Sequence, residues 1–340
     1  MEKSAALPDL ADPQSEIGLD SPFLPGTNVQ YAWDSTSLGY LKRCPRLYYY
    51  QMIQGWQPKE ESVHLRFGIE YHEALHAYEL YKNMDQNHNE ALHNVVKDLL
   101  LRTADWDSDN QYKNRKTLTR TVIWYLEKFQ RDVTKTVVLE GGKIGCELSF
   151  RFQLDWGPKW QPHSTAEELD KILNAKEGEV VGQSYLLCGH LDRVVTFNDE
   201  LFVMDRKTTK TTPEGYYFDN FDPENQMSLY TLAGQVLFDT AIRGVIIDAA
   251  QVAVGFSRFE RGFTYRNPDQ IDEWVNDLHY WFQLAEEFAK SNYWPMNDTS
   301  CGMYGGCKFR KICSKSPQVR DRFLAGDFEK VEPWNPLAVR

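Results

Sequence analysis

Two stretches near the middle of the chain, Gly189-His190-Leu191-Asp192-Arg193-Val194-Val195 and Met204-Asp205-Arg206-Lys207-Thr208-Thr209, flank a short polar break at Asn198-Asp199. Asn and Asp tolerate the positive φ of a two-residue hairpin turn, so this spacing predicts a β-hairpin. Such a turn fixes the register: Phe197 lies opposite Glu200, Asp192 opposite Asp205 and His190 opposite Lys207. Side chains alternate with a period of two, which puts Asp192, Asp205 and Lys207 on one face. Like charges directly opposite on a sheet are destabilising, and a divalent cation bridging both carboxylates would remove the conflict. Two oxygen ligands plus water suit Mg²⁺. The bland alternative is a surface ion network of Asp192 with Arg193 or Lys207, worth little energetically. Against it stand the apolar neighbours Leu186, Leu187, Val194 and Val195 on one strand and Leu201, Phe202, Val203 and Met204 on the other. Strands with such runs are usually buried on both faces.

A chain of 340 residues with 42% hydrophobic content can bury a sizeable core, as one large domain or two. Its formal charge of −11 argues against indiscriminate coating of nucleic acid but leaves room for a cleft with concentrated basic residues. Candidates are Lys42, Arg43 and Arg46; Arg206, Lys207 and Lys210; and Lys308, Arg310 and Lys311. No segment has the long apolar stretch of a membrane span, and residues 1–25 lack the basic and apolar regions of a secretory signal. The expectation is a soluble, cytoplasmic chain with no membrane partner. Residues 1–30 read as a flexible arm and 316–340 as a tail.

Between these ends, Ser35-Thr36-Ser37 offers an N-cap to a helix carrying Leu38, Leu41, Cys44, Leu47 and Tyr48. Further helices are expected over 63–81, 89–101 and 115–133, then an extended pattern over 136–152. Residues 158–179, with Trp160 and His163, read as an irregular insertion. Asp222-Pro223 opens a helix to about Phe238, with Asp as N-cap and Pro first. Strands over 244–255 and 259–264 follow, and a helix over 268–291 presents Ile271, Trp274, Leu278, Trp281, Ala285 and Phe288 on one stripe. This order suggests an α/β fold, a mixed sheet flanked by helices, not a doubly wound parallel array.

Gln226 and Tyr230 stand four residues apart, hence on one face near a helix N-terminus, where an amide and a phenol suit a phosphate or base contact. Inward packing of Tyr230 is the plainer reading, and His72, one turn after Gly68, is by itself as readily a core histidine. Three of six cysteines, Cys301, Cys307 and Cys313, are evenly separated by five residues in glycine-rich surroundings. That spacing, without a secretory signal, speaks for metal or cluster ligation over disulfides. Zinc and iron–sulfur sites both need four ligands, and Cys44 in Arg43-Cys44-Pro45-Arg46 is the fourth candidate. Cys146 and Cys188 sit in strand patterns and read as buried thiols.

Cys44-Pro45, Gly68-x-x-x-His72, Gly189-His190-Leu191-Asp192, Asp205-Arg206-Lys207, Gln226-x-x-x-Tyr230 and the Cys301, Cys307, Cys313 series occur in an order that resembles the PD-(D/E)XK nuclease superfamily. The resemblance is to its RecB-like branch with an iron–sulfur cluster, which includes AddB-type exonucleases, CRISPR-associated adaptation nucleases and phage exonucleases. It spans residues from about 33 to 315. It implies a restriction-endonuclease-like domain over 31–315, with a helical part at about 63–133, a catalytic core at about 136–292 and termini stapled by the cluster.

By that resemblance, Asp192 and Asp205 bind catalytic Mg²⁺ or Mn²⁺, with His72 completing the shell and the Arg206 carbonyl as an extra ligand. Lys207 orients or helps deprotonate the attacking water, and Gln226 and Tyr230 position the strand or that water. Cys44, Cys301, Cys307 and Cys313 hold a [4Fe–4S] cluster, with zinc as the alternative because the two cysteine gaps are equal. The implied activity is a metal-dependent DNA exonuclease on single-stranded or frayed ends in recombination, repair or phage DNA processing. A helicase or recombination protein is the implied partner, since the chain has no GxxxxGK[ST] loop. Rival readings are a processing endonuclease within a larger complex, a non-catalytic DNA-binding or assembly protein, and a redox enzyme. Tyr48, Tyr49, Tyr50, Trp56, Tyr216 and Tyr217 are candidate base-stacking platforms.

Overall fold

The computed structural model describes residues 21–60, 62–160, 165–174 and 182–338. His163 and the first twenty residues lie outside these. The chain forms two compact units, one from Met1–Glu60, Ser149–Gly189 and Asp269–Val339, the other from Glu61–Leu148 and His190–Pro268.

The second unit is built on the hairpin. Strands Leu186–Phe197 and Glu200–Thr209 pair antiparallel from Phe197↔Glu200 to Arg193↔Met204. Asn198 and Asp199 take φ of 51° and 62°, the doubly positive turn expected of those residues. The ladder stops one step before the carboxylates, so Asp192 and Asp205 are not a registered cross-strand pair. Instead the Arg206 N–H donates to Asp192 Oδ2 at 2.9 Å. A side-chain acceptor there replaces a ladder bond and ends the pairing.

On its other edge, strand Glu200–Thr209 runs parallel to Ile242–Val252, which pairs antiparallel with Ser257–Thr264. Parallel neighbours need a crossover, and helix Asn225–Phe238 supplies it. Gly234 lets that helix approach: a Cβ there would meet Ile242 Cγ1 at 2.8 Å. The helix begins later than Asp222-Pro223 suggests. Glu224 is its cap and accepts from the Gln226 and Met227 amides, while the Asp222 carboxylate takes the Arg266 Nη1 donor at 2.6 Å. Helices Val63–Asn83, His88–Arg102 and Arg115–Lys128 cover the other face. Phe67, Tyr71, Leu75, Val95, Leu99, Leu118 and Val122 pack there with Ala250, Val252 and Phe259. The result is a mixed sheet with helices on both faces, the arrangement of a restriction-endonuclease-like core.

In the first unit, Asp34 rather than the serine run caps helix Ser35–Arg43, and Ser37 closes a capping box with it. A separate short helix follows at Pro45–Tyr48. Helix Pro268–Ser291 buries Phe282 in place of the expected Trp281, with Ile271, Trp274 and Leu278 as expected. The proposed insertion contains a helix, Ala166–Leu173. Residues 21–30 and 316–338 carry more structure than their composition suggests. Leu24 and Val29 are buried within 21–30. Strand Phe328–Lys330 pairs antiparallel with Trp56–Pro58, and Leu324, Phe328 and Leu337 are buried. Apolar residues spaced through 316–338 find partners far away in sequence, which local composition cannot reveal.

Candidate active site

In the second unit, His72 comes from the middle of helix Val63–Asn83 and Asp192 from the first hairpin strand. Asp205 and Lys207 come from the second strand, and Gln226 and Tyr230 from the crossover helix. His72 Nε2 donates to the Arg206 carbonyl at 2.9 Å, because a carbonyl can only accept. That leaves His72 Nδ1 facing Asp192 Oδ2 at 3.4 Å.

A third acidic group, Glu147, completes this corner. Among the described residues, one ligand atom each from His72, Glu147 and Asp192 lie within 4.8 Å of one another, a set that could hold a metal ion. Sequence reasoning missed Glu147. It is the second residue of strand Cys146–Gln153, one polar residue in an alternating pattern, and only its backbone distinguishes it. Its φ of 48° is the left-handed region, costly for a side chain without glycine's freedom. Strain of that kind clusters where geometry serves a site.

Asp205 lies outside that 4.8 Å grouping but close enough to feel the Asp192 and His72 charges. Its carboxylate lies against the Lys207 ammonium, with Oδ1 at 3.0 Å and Oδ2 at 2.8 Å. The ion-pair distance to Oδ2 is short, yet that buried atom accepts no well-directed hydrogen bond. The contact is Coulombic, and the Oδ2 lone pair is left open to a divalent cation. Burial, and then the Asp192 charge, push the Asp205 carboxyl up to about 6 despite Lys207. Lys207 moves upward too: burial opposes its charge, but Asp205 and Asp192 outweigh it. Its Nζ also donates to Gln226 Oε1 at 2.7 Å, and Gln226 Nε2 donates to the Tyr230 hydroxyl at 3.1 Å. Tyr230 is buried, and burial raises its phenol well above the usual range. It is an anchor for Gln226, not a surface contact. A set of one histidine nitrogen, Nδ1, with hard carboxylates and a carbonyl suits an oxygen-preferring divalent cation.

Cys44, Cys301, Cys307 and Cys313 line one small cavity of the first unit, with Arg43 and Arg310 beside them. The Asn297 amide donates to Cys44 Sγ at 3.3 Å. Burial raises the Cys313 thiol, while Arg46 and Arg320 favour its thiolate. Cys146 and Cys188 lie elsewhere, and burial drives both to about 12. Two of the proposed stacking aromatics are core residues: Tyr48 stacks on Trp33, and Tyr50 packs with Phe309. Tyr216, by contrast, is 82% exposed.

No curated protein matches the chain. The family model described as PD-(D/E)XK nuclease superfamily matches residues 35–314, which takes in the acidic corner, the Asp205-Arg206-Lys207 strand and the cysteines. With that match over most of its length, the chain belongs to the PD-(D/E)XK nuclease superfamily.

Proposed function

We propose that the protein is a Mg²⁺- or Mn²⁺-dependent deoxyribonuclease acting as an exonuclease on single-stranded or frayed ends. The observation that carries this reading is the gathering of His72, Glu147 and Asp192 beside the Asp205–Lys207 pair. His72, Glu147, Asp192, Asp205 and the Arg206 carbonyl would hold the cation. When bound, a divalent ion offsets charge on phosphoryl oxygens and acidifies an attacking water.

The remaining work falls to the chain. Lys207, held between Asp205 and Gln226, keeps its proton and serves as a donor, orienting water or countering phosphate charge. Gln226 fixes that ammonium, and Tyr230 fixes Gln226. Exposed Tyr216 and Tyr112 favour strands whose bases are free to stack.

The four-cysteine cavity favours a [4Fe–4S] cluster that staples residues 44 and 301–313. Its four thiols meet the ligand count of such a cluster.

End-labelled single- and double-stranded DNA, incubated with Mg²⁺, Mn²⁺ or a chelator, tests the activity. Metal-dependent shortening from ends, faster on single strands, is expected. No cleavage, or cleavage unaffected by chelation, overturns the proposal, and internal cuts appearing first would point to a processing endonuclease.

A further inference from the structure

Strand Glu200–Thr209 continues past Lys207 to a second concentration of positive charge that the metal corner does not use. Lys113 is only 5% exposed, yet its Nζ donates to a neutral group, Thr208 Oγ1, at 2.9 Å. Its other neighbour is the Phe67 ring, 5.1 Å from Nζ. Among the described residues no carboxylate pairs with it. One further cation, Lys210, adds to the imbalance, and His64, which burial and the two lysines hold toward its neutral form, offers a ring donor beside them. Lys210 and His64 are both exposed, and each feels the Lys113 charge. Burial, then Lys210, lowers the Lys113 ammonium to about 8, with no acidic group compensating. A buried cation is costly unless it is paired.

The surrounding backbone is braced. Asn110 Oδ1 accepts from the amides of Tyr112 and Lys113 at 3.0 and 2.9 Å, and Ser108 Oγ donates to the Lys113 carbonyl. Gln251 Nε2 donates to the Lys210 carbonyl at 3.2 Å and to Thr212 Oγ1 at 3.3 Å. The Lys210 ammonium sits 4.9 Å from the Tyr112 ring centre, and that ring is 40% exposed. Fixed cations with an open aromatic face are the parts that grip a nucleic-acid strand.

The geometry points to a phosphodiester-binding subsite formed by Lys113, Lys210 and His64, with Tyr112 as a base platform. It would hold the bound strand at a phosphate other than the scissile one. Lys210 lies just beyond the end of the strand that carries Lys207. The inference rests on the nuclease reading and adds to it a second point of contact, which supplies grip where the metal corner supplies chemistry.

The test is binding, not turnover. Fluorescence anisotropy of a labelled single-stranded oligonucleotide, without divalent ions, is followed against salt for the wild type, Lys113→Met, Lys210→Ala and Lys210→Arg. For single strands, each lost phosphate contact lowers the salt slope by about 0.7. Lys113→Met and Lys210→Ala should each weaken binding severalfold and flatten the slope by about that amount, and Lys210→Arg should restore it. Lys210 is exposed, so its variants keep the question answerable even if Lys113→Met folds poorly. Wild-type slopes in both neutral variants overturn the subsite and leave the nuclease reading standing. A wild-type protein that neither binds nor cuts DNA overturns both.

Discussion

Lys207 Nζ lies 2.7 Å from Gln226 Oε1, so the crossover helix, not the hairpin alone, decides where the ammonium points. Asp205 holds the same group from the strand side. Truncating Gln226 to Ala releases one of these two tethers while leaving every candidate ligand in place. Removal of such an orienting partner typically costs 10–100-fold. The expected outcome is that loss in kcat with Mg²⁺ affinity unchanged, read by cleavage kinetics alongside calorimetric titration.

Lys207→Met should abolish cleavage and also destabilise the metal-free fold. It leaves Asp205, which is 1% exposed, close to Asp192 without its cation. Breaking a buried pair on one side costs about 3–5 kcal/mol, and the upper end is reduced here because Lys207 is itself 30% exposed. Saturating Mg²⁺ should restore part of the lost melting temperature. A variant equally stable with and without the ion would contradict a shared cation site.

Stability and metal affinity should depend on pH in opposite senses through Asp205. Its folded carboxyl, at about 6, sits above the ordinary 3.8. Between those values the folded state holds a proton that the unfolded state has lost, so this contribution is complete below about 4 and disappears as pH rises through 6. The loss is on the order of 3 kcal/mol. A cation must displace the same proton, so Mg²⁺ should bind more tightly as pH goes from 5 to 7. Asp205→Asn should flatten the metal-free stability profile over this window, which thermal unfolding at stepped pH would reveal.

Glu147→Gly should separate stability from function. Glycine accepts a φ of 48° freely, so the fold should keep or gain roughly 1 kcal/mol. The carboxylate is lost from the acidic corner, so Mg²⁺ affinity and cleavage should fall by at least tenfold. Chemical denaturation and metal titration on the same preparation measure both effects.

Cys307→Ser, in anaerobically purified protein, should lower iron content from about four per chain and remove visible absorbance. Near this residue Leu47, Phe309, Ile312, Leu324 and Phe328 form one apolar cluster, so its melting temperature should also drop. Stoichiometric zinc in the wild type would replace the cluster assignment.

How much of this was legible differs from residue to residue. Asn198-Asp199 announced the hairpin because only a few residue types accept the backbone angles it needs. The four-residue spacing of Gln226 and Tyr230 gave their shared face, and they are hydrogen-bonded. The end of the ladder at Arg193 was hidden, since it depends on a side chain capturing the Arg206 amide. Asp222-Pro223 looked like a helix start until Arg266, far along the chain, claimed the aspartate. Glu147 was illegible for a related reason: periodicity describes which way a side chain points, not the twist of the backbone beneath it. The pairing of 328–330 with 56–58 required knowing what lies next to what.

The alternation in Asp205-Arg206-Lys207 makes the tiny turn at the far end of the hairpin a remote control over chemistry. Arg206 sends its guanidinium to the face opposite its neighbours, where it is 1% exposed near Glu79. One residue inserted between Asn198 and Asp199, about 20 Å away along the strand, would favour a slipped pairing that swaps the two faces. A guanidinium would then occupy the acidic corner, and both acid and ammonium would be turned into the helical core. The length of a surface loop thus sets whether the enzyme is assembled at all.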